Sequence, residues 1–335
     1  MPFAANFRAK RAFGAVDGRP LGAEGFREKG EFTMKCRMSI LGAMALCLSL
    51  TANAQLNNPN NIVFDSLGNL WVANYGASNV LELNGKTCPR GPICGTVLNT
   101  ITTGVNAPTR LFFVGSDLYV VNTGGNSITE YDDLTTPGAA LIRTIDVGGY
   151  VSRPLGAALD AYGDLYVAGN GTNNIVALNI GGGLVENLTQ DDSGFPFTAP
   201  GVLVINGQNL YAGFGSGDNS NAVVSYNVGE FLTSNPQEIM RYTDGVNTGP
   251  TGIAFDSAGN VYIAEYYSGT WVKYAPNNGT VPVCVVSSHV NGPEGIAVAK
   301  NGRIYVSNSA ANNITWYTAA CNYGGTVNLN DRSSW

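Results

Sequence analysis

The sequence predicts an all-β chain closed into a six-bladed β-propeller of four-stranded antiparallel blades, and two observations lead there. The first is a phrase repeated six times, opening at Pro59, Pro108, Pro154, Pro200, Pro250 and Pro293. These anchors lie 49, 46, 46, 50 and 43 residues apart. Self-similarity at roughly 40–50 residues is the period of propeller blades. The second is the interior of each copy, where short apolar runs alternate with Gly, Asn, Asp and Ser, as strands alternate with tight turns.

The fifth copy is the clearest and justifies the elements in order. Ile253-Ala254-Phe255 is a short apolar run, read as the innermost strand A. Asp256-Ser257-Ala258-Gly259-Asn260 is a turn in which glycine supplies a positive φ. Val261-Tyr262-Ile263-Ala264 is strand B. After a polar corner comes strand C, as in Asn174-Ile175-Val176-Ala177-Leu178, and then the variable strand D, as in Leu141 to Val147. Residues 323–330 are expected to form the last outer strand, with ring closure leaning on blade packing and on a Cys284–Cys321 bridge.

One slot of strand B is aromatic in every copy: Trp71, Tyr119, Tyr166, Tyr211, Tyr262 and Tyr305. Six copies at one slot indicate packing between blades, since a ligand rarely meets all six equally. Trp271 occupies a strand C core slot. The turns at Asp65, Asp160 and Asp256 lack the alternating oxygen ligands of a calcium loop.

Composition bounds the rest. The chain has 335 residues, but from Met34 it reads as a secretory signal. Lys35 and Arg37 precede the apolar run Ile40 to Leu50, and Ala52-Asn53-Ala54 is a cleavage site before Gln55. Residues 1–33 are read as non-native or as an extended leader, 34–54 as the signal peptide, and 55–335 as one propeller domain. Removing 1–54 takes eight of the 18 Lys and Arg but four of the 24 Asp and Glu, leaving a formal charge of −10. So acidic a surface repels nucleic acid and has no attraction to anionic lipid. The product is expected to be a secreted or periplasmic monomer, without membrane insertion after cleavage. Four cysteines remain, and the expected pairing is Cys88–Cys94 with Cys284–Cys321.

Pro250-Thr251-Gly252-Ile253-Ala254-Phe255-Asp256 through Val261-Tyr262-Ile263-Ala264-Glu265 resembles the NHL repeat, and the resemblance runs from residue 57 to about 318. It implies six blades. Function is left open, because NHL-like blades occur in sensors, scaffolds, lyases and lactonases. Gluconolactonase-like propellers share the architecture and hold a divalent metal. Pro293-Glu294-Gly295 is similar to one of their motifs, but the Asn-Gly partner is missing. Streptogramin B lyase is similar in its blades and uses His and Glu with magnesium.

Antiparallel order places the start of strand A, the end of strand B and the D-to-A loop on one face. The residue after each anchor proline is Asn60, Thr109, Leu155, Gly201, Thr251 or Glu294. Strand B ends in Asn74, Asn122, Gly169, Phe214, Glu265 or Asn308. This predicts a lopsided face, polar on blades five, six, one and two and apolar on three and four, suited to an amphiphilic ligand. The other reading of the asparagines is that they cap the B–C corner. Arg110 breaks a column otherwise made of Asn61, Gly156, Val202, Gly252 and Gly295. It either grips a carboxylate or pairs with a nearby acid. The only histidine, His289, is expected near Glu265 and Glu294, or else simply exposed.

Two functions follow. The first is a binding module without catalysis or cofactor. Asn60, Asn74, Thr109, Arg110, Asn122 and Asn308 would contact a protein loop, a glycan or a cell-envelope fragment. The alternative is a lactonase or lyase using Ca2+ or Mg2+, with His289, Glu265 and Glu294 as catalytic residues and Glu294, Glu265 and Asn60 as metal ligands.

Overall fold

The structure is a computed structural model that describes residues 55–86, 95–132, 139–194, 196–215, 221–231, 236–243, 249–327 and 329. The signal and leader assignments and the Cys88–Cys94 pair fall outside the described residues. There are six four-stranded antiparallel sheets, each built from consecutive strands. Blade one comprises β1 (Pro59–Phe64), β2 (Leu70–Asn74), β3 (Asn79–Leu83) and β4 (Val97–Ile101). Blade two comprises β5 (Pro108–Val114), β6 (Asp117–Asn122), β7 (Ser127–Asp132) and β8 (Ala140–Asp146). Blade three comprises β9 (Pro154–Leu159), β10 (Asp164–Gly169), β11 (Asn174–Asn179) and β12 (Leu184–Leu188). Blade four comprises β13 (Pro200–Asn206), β14 (Asn209–Phe214), β15 (Ala222–Asn227) and β16 (Glu238–Tyr242). Blade five comprises β17 (Pro250–Phe255), β18 (Val261–Glu265), β19 (Thr270–Tyr274) and β20 (Pro282–Val286). Blade six comprises β21 (Pro293–Val298), β22 (Ile304–Asn308), β23 (Asn313–Tyr317) and β24 (Tyr323–Thr326). Every anchor proline is thus the first residue of an inner strand, where its missing N–H is harmless. The last outer strand, β24, comes from the C-terminal segment and completes blade six.

The core is divided by blade joints. Six apolar clusters form, one at each junction between neighbouring blades, including the closing junction of blade six with blade one. The strand B aromatics sit in these clusters, all buried. Phe64 meets Tyr305 across the closing joint with ring centroids 5.3 Å apart, and Tyr211 meets Phe255 at 4.7 Å across the joint of blades four and five. The turn aspartates hold their own hairpins. Asp160 and Asp256 take the hydroxyls of Tyr166 and Tyr262, and Asp65 takes the indole N–H of Trp71. The same three aspartates accept backbone N–H groups four residues on.

One device fastens successive blades. The residue before each anchor proline is left-handed, with φ between +46° and +60° at Asn58, Ala107, Arg153, Ala199, Gly249 and Gly292. Five of these donate their N–H to a side chain at the B–C corner of the preceding blade. The acceptors are Asn312, Ser78, Asn126, Asn173 and Asn221, at 2.6, 3.2, 3.0, 2.8 and 3.4 Å. Each acceptor is itself left-handed, which asparagine tolerates better than most residues. Blade five carries Gly269 at that corner and has no side chain to offer. The joint it leaves, between blades five and six, is the one crossed by the Cys284–Cys321 disulfide.

Candidate functional site

In all six blades the register of strands A and B slips just after the anchor proline. A β-bulge leaves one residue without a partner opposite and re-aims its side chain. The residues set in that slip include Asn60, Thr109, Leu155, Gly201, Thr251 and Glu294. All six line a single cavity of about 540 Å³ at the start of the inner strands. Its rim carries Asn58, Tyr75, Arg153, Asn170, Tyr266 and Tyr267.

Arg110 forms the floor. It is 5 % exposed and also borders a second, apolar cavity of about 350 Å³ beneath, walled by residues such as Ile62, Phe112, Ile253 and Ile296. The guanidinium crosses the ring axis: Nη2 of this blade-two residue donates to the Thr251 carbonyl of blade five. Nε is buried and has no hydrogen-bond partner among the described residues. The expected salt bridge of Arg110 to a nearby acid is not formed among the described residues.

Among the described residues Glu294 is the single acid on the cavity wall. Burial pushes its carboxyl up to about 7, although the positive charge of Arg110 pulls the other way. Burial lowers Arg110 to about 10, opposed by Glu294. A carboxyl raised in the folded state keeps a proton that the unfolded chain releases, so its contribution falls as pH rises from 4.5 through 7. Glu294→Gln should therefore match the wild-type protein at pH 4 and exceed it by about 3 kcal/mol at pH 8. Urea unfolding at both pH values checks this; a constant difference would show that the carboxyl is ordinary.

The other polar wall groups divide into engaged and free. The Thr251 hydroxyl donates to the Pro293 carbonyl at 2.8 Å, and that of Thr109 is shared with Thr123 at 2.8 Å. Both fasten blades. Asn60 makes no side-chain hydrogen bond among the described residues and faces the cavity.

The structure does not bring Asn74, Asn122 and Asn308 to this cavity. They are fully buried. Their Oδ1 atoms accept the N–H groups of Asn57, Asn106 and Asn291 at 2.7, 2.9 and 3.0 Å. Their Nδ2 atoms donate to Asn79, Thr129 and Asn313. They tie the D-to-A loop to the end of strand B, the corner-capping alternative. A legible signal was the polar residue five or seven positions later, which faces each asparagine across the B–C pair.

Nor do the residues of the alternative site converge. His289 is exposed with φ +60°, and its ring stacks on Tyr323 of the outer strand with centroids 3.7 Å apart. Its Nδ1 lies 2.7 Å from the Ser288 hydroxyl. The left-handed turn folds the imidazole back onto its own blade, away from the axis. Glu265 is buried at the end of strand B, where its carboxylate takes the hydroxyls of Thr270 and Ser268 at 2.7 and 3.3 Å. Glu294, Glu265 and Asn60 therefore do not form a donor set that fits Ca2+ or Mg2+. No three His, Cys, Asp or Glu side chains come together anywhere among the described residues.

Solved structures share the fold at low identity. A catalytically inactive histidine-to-alanine variant of virginiamycin B lyase from Staphylococcus aureus, determined with quinupristin, is 12% identical with a TM-score of 0.58, over 84% of this chain and 87% of that one. A streptogramin B lyase is 15% identical with a TM-score of 0.57, over 81% and 85%. Hydrazine synthase of Kuenenia stuttgartiensis is 16% identical with a TM-score of 0.54, over 80% and 97%. No family model matches, and no curated protein matches. The chain is a six-bladed β-propeller.

Proposed function

We propose that this chain is a secreted or periplasmic binding module, without catalysis, whose ligand is a small amphiphilic molecule held in the axial cavity. The observation that carries the reading is the cavity itself. It is already formed, and its volume of about 540 Å³ falls in the range of small-molecule sites. Its walls are two-sided. Asn60, Arg110 and Glu294 offer polar groups from blades six, one and two, while Leu155, Gly201 and Val202 are apolar on blades three and four. Tyr266 and Tyr267 stand at the rim as aromatic surfaces for a glycan or a peptide fragment.

Gly201→Trp tests the site. A Cβ at Gly201 meets nothing nearer than 3.9 Å, so the indole can fill the cavity without displacing backbone. In ligand-observed NMR with a fragment library, bound fragments should lose at least about tenfold in affinity in the variant and stay chemically unchanged overnight with the wild-type protein. Fragments that bind both proteins equally would move the site elsewhere, and turnover of a bound fragment would make the protein an enzyme.

A further inference from the structure

We infer that the ligand of this cavity carries a carboxylate, which seats on the Arg110 guanidinium while the rest of the molecule lies against blades three and four. This rests on the binding reading above and names the chemistry it would recognise. A guanidinium has five N–H donors. Arg110 places one nitrogen on the Thr251 carbonyl, and its buried Nε has no hydrogen-bond partner among the described residues. Burying a cation without a counter-charge is unfavourable. The four other inner strands with Gly or Val in this column, or the Asn61 that bonds the Leu111 N–H at 2.9 Å, show that the fold itself has no need of a charge there.

The surroundings favour an anion brought in from outside. Among the described residues the charged and titratable groups on the cavity wall are Arg110, Glu294, the exposed Arg153 and the rim tyrosines Tyr75, Tyr266 and Tyr267. Glu294 forms no ion pair with Arg110 and leaves the guanidinium open. The polar wall groups Asn60 and Glu294 and the rim Arg153 belong to the upper cavity, so an anion approaches Arg110 from that mouth. A carboxylate matches the planar fork of arginine and replaces lost solvation with charge-assisted hydrogen bonds. Leu155, Gly201 and Val202 then receive its apolar body.

The same carboxylate could belong to a free organic acid or to the C-terminus of a short peptide, and one experiment separates them. Aryl- and alkyl-substituted monocarboxylic acids, and tripeptides with free C-termini, are each paired with their own primary amide. Binding is measured by calorimetry to residues 55–335 as wild type, Arg110→Met and Gly201→Trp. Acids of one set should bind at least about tenfold tighter than their amides, and Arg110→Met should erase that preference. Arg110→Met replaces a buried cation by an apolar chain of similar length, which folds of this kind accommodate. Should it fail to fold, the acid–amide comparison on wild-type protein still decides. Acids and amides binding equally well, with both weakened by Gly201→Trp, would overturn the carboxylate and leave the binding module standing. Neither set binding any protein would overturn both.

Discussion

Gly156→Ala lowers the stability of the propeller by about 3 kcal/mol, and Gly201→Ala changes it by less than about 0.5 kcal/mol. The two glycines face each other across the joint of blades three and four. A Cβ on Gly156 would lie 2.2 Å from the Gly201 carbonyl oxygen and 2.7 Å from the Leu203 nitrogen. These are backbone atoms of a neighbouring inner strand and cannot rotate aside, so the added methyl group has to separate two blades. A Cβ on Gly201 points the other way, into the cavity. Gly252 and Gly295 stand in the same column and are crowded by the backbones of blades six and one at 2.9 and 2.8 Å. Denaturant unfolding of both alanine variants is the check. Equal stability would mean that the inner strands can part at no cost and that the column has no steric meaning.

Replacing both cysteines of the Cys284–Cys321 bridge by serine removes about 3–4 kcal/mol. The bond closes a segment with a sequence separation of 37, and a loop of that size carries a chain-entropy term of this order. The site of the bridge sharpens the expectation. Blades five and six are the joint where Gly269 replaces the corner side chain that accepts a backbone N–H elsewhere, so losing the disulfide leaves that joint with apolar packing and the Thr251–Pro293 hydrogen bond but without the corner fastening. Hydrogen exchange of the double variant should show β20 and β24 opening ahead of the other outer strands. Uniform loss of protection around the ring would place the effect in the unfolded chain only.

Much of this architecture was legible because the chain states it six times. The prolines mark the inner strands, and the position after each of them lines the cavity, since a period near 46 residues repeats one geometry. Arg110 stood out because the five other copies carry Asn61, Gly156, Val202, Gly252 and Gly295, none of them charged. What the sequence hid was direction. The register slip beside each proline turns Asn60 and Glu294 to the axis, and no residue type announces it. Asn74, Asn122 and Asn308 are equally polar but sit one bulge away, where they bond backbone. His289 was placed correctly in the loop before blade six, yet its left-handed turn sends the ring outward onto Tyr323. Proximity in the fold order did not specify which way a side chain leaves the chain.

A closed ring of blades is mechanically a nearest-neighbour chain: each unit communicates with two others, and a disturbance has to travel around the circumference. The Arg110 side chain alters that connectivity. By reaching the Thr251 carbonyl it acts as a spoke between blades two and five, which stand three places apart on a six-membered wheel. An anion that drew the guanidinium off this carbonyl would remove the spoke, and opposite halves of the wheel would gain the freedom to breathe against each other. Occupancy at the hub would then be felt at the circumference without any blade changing its own fold.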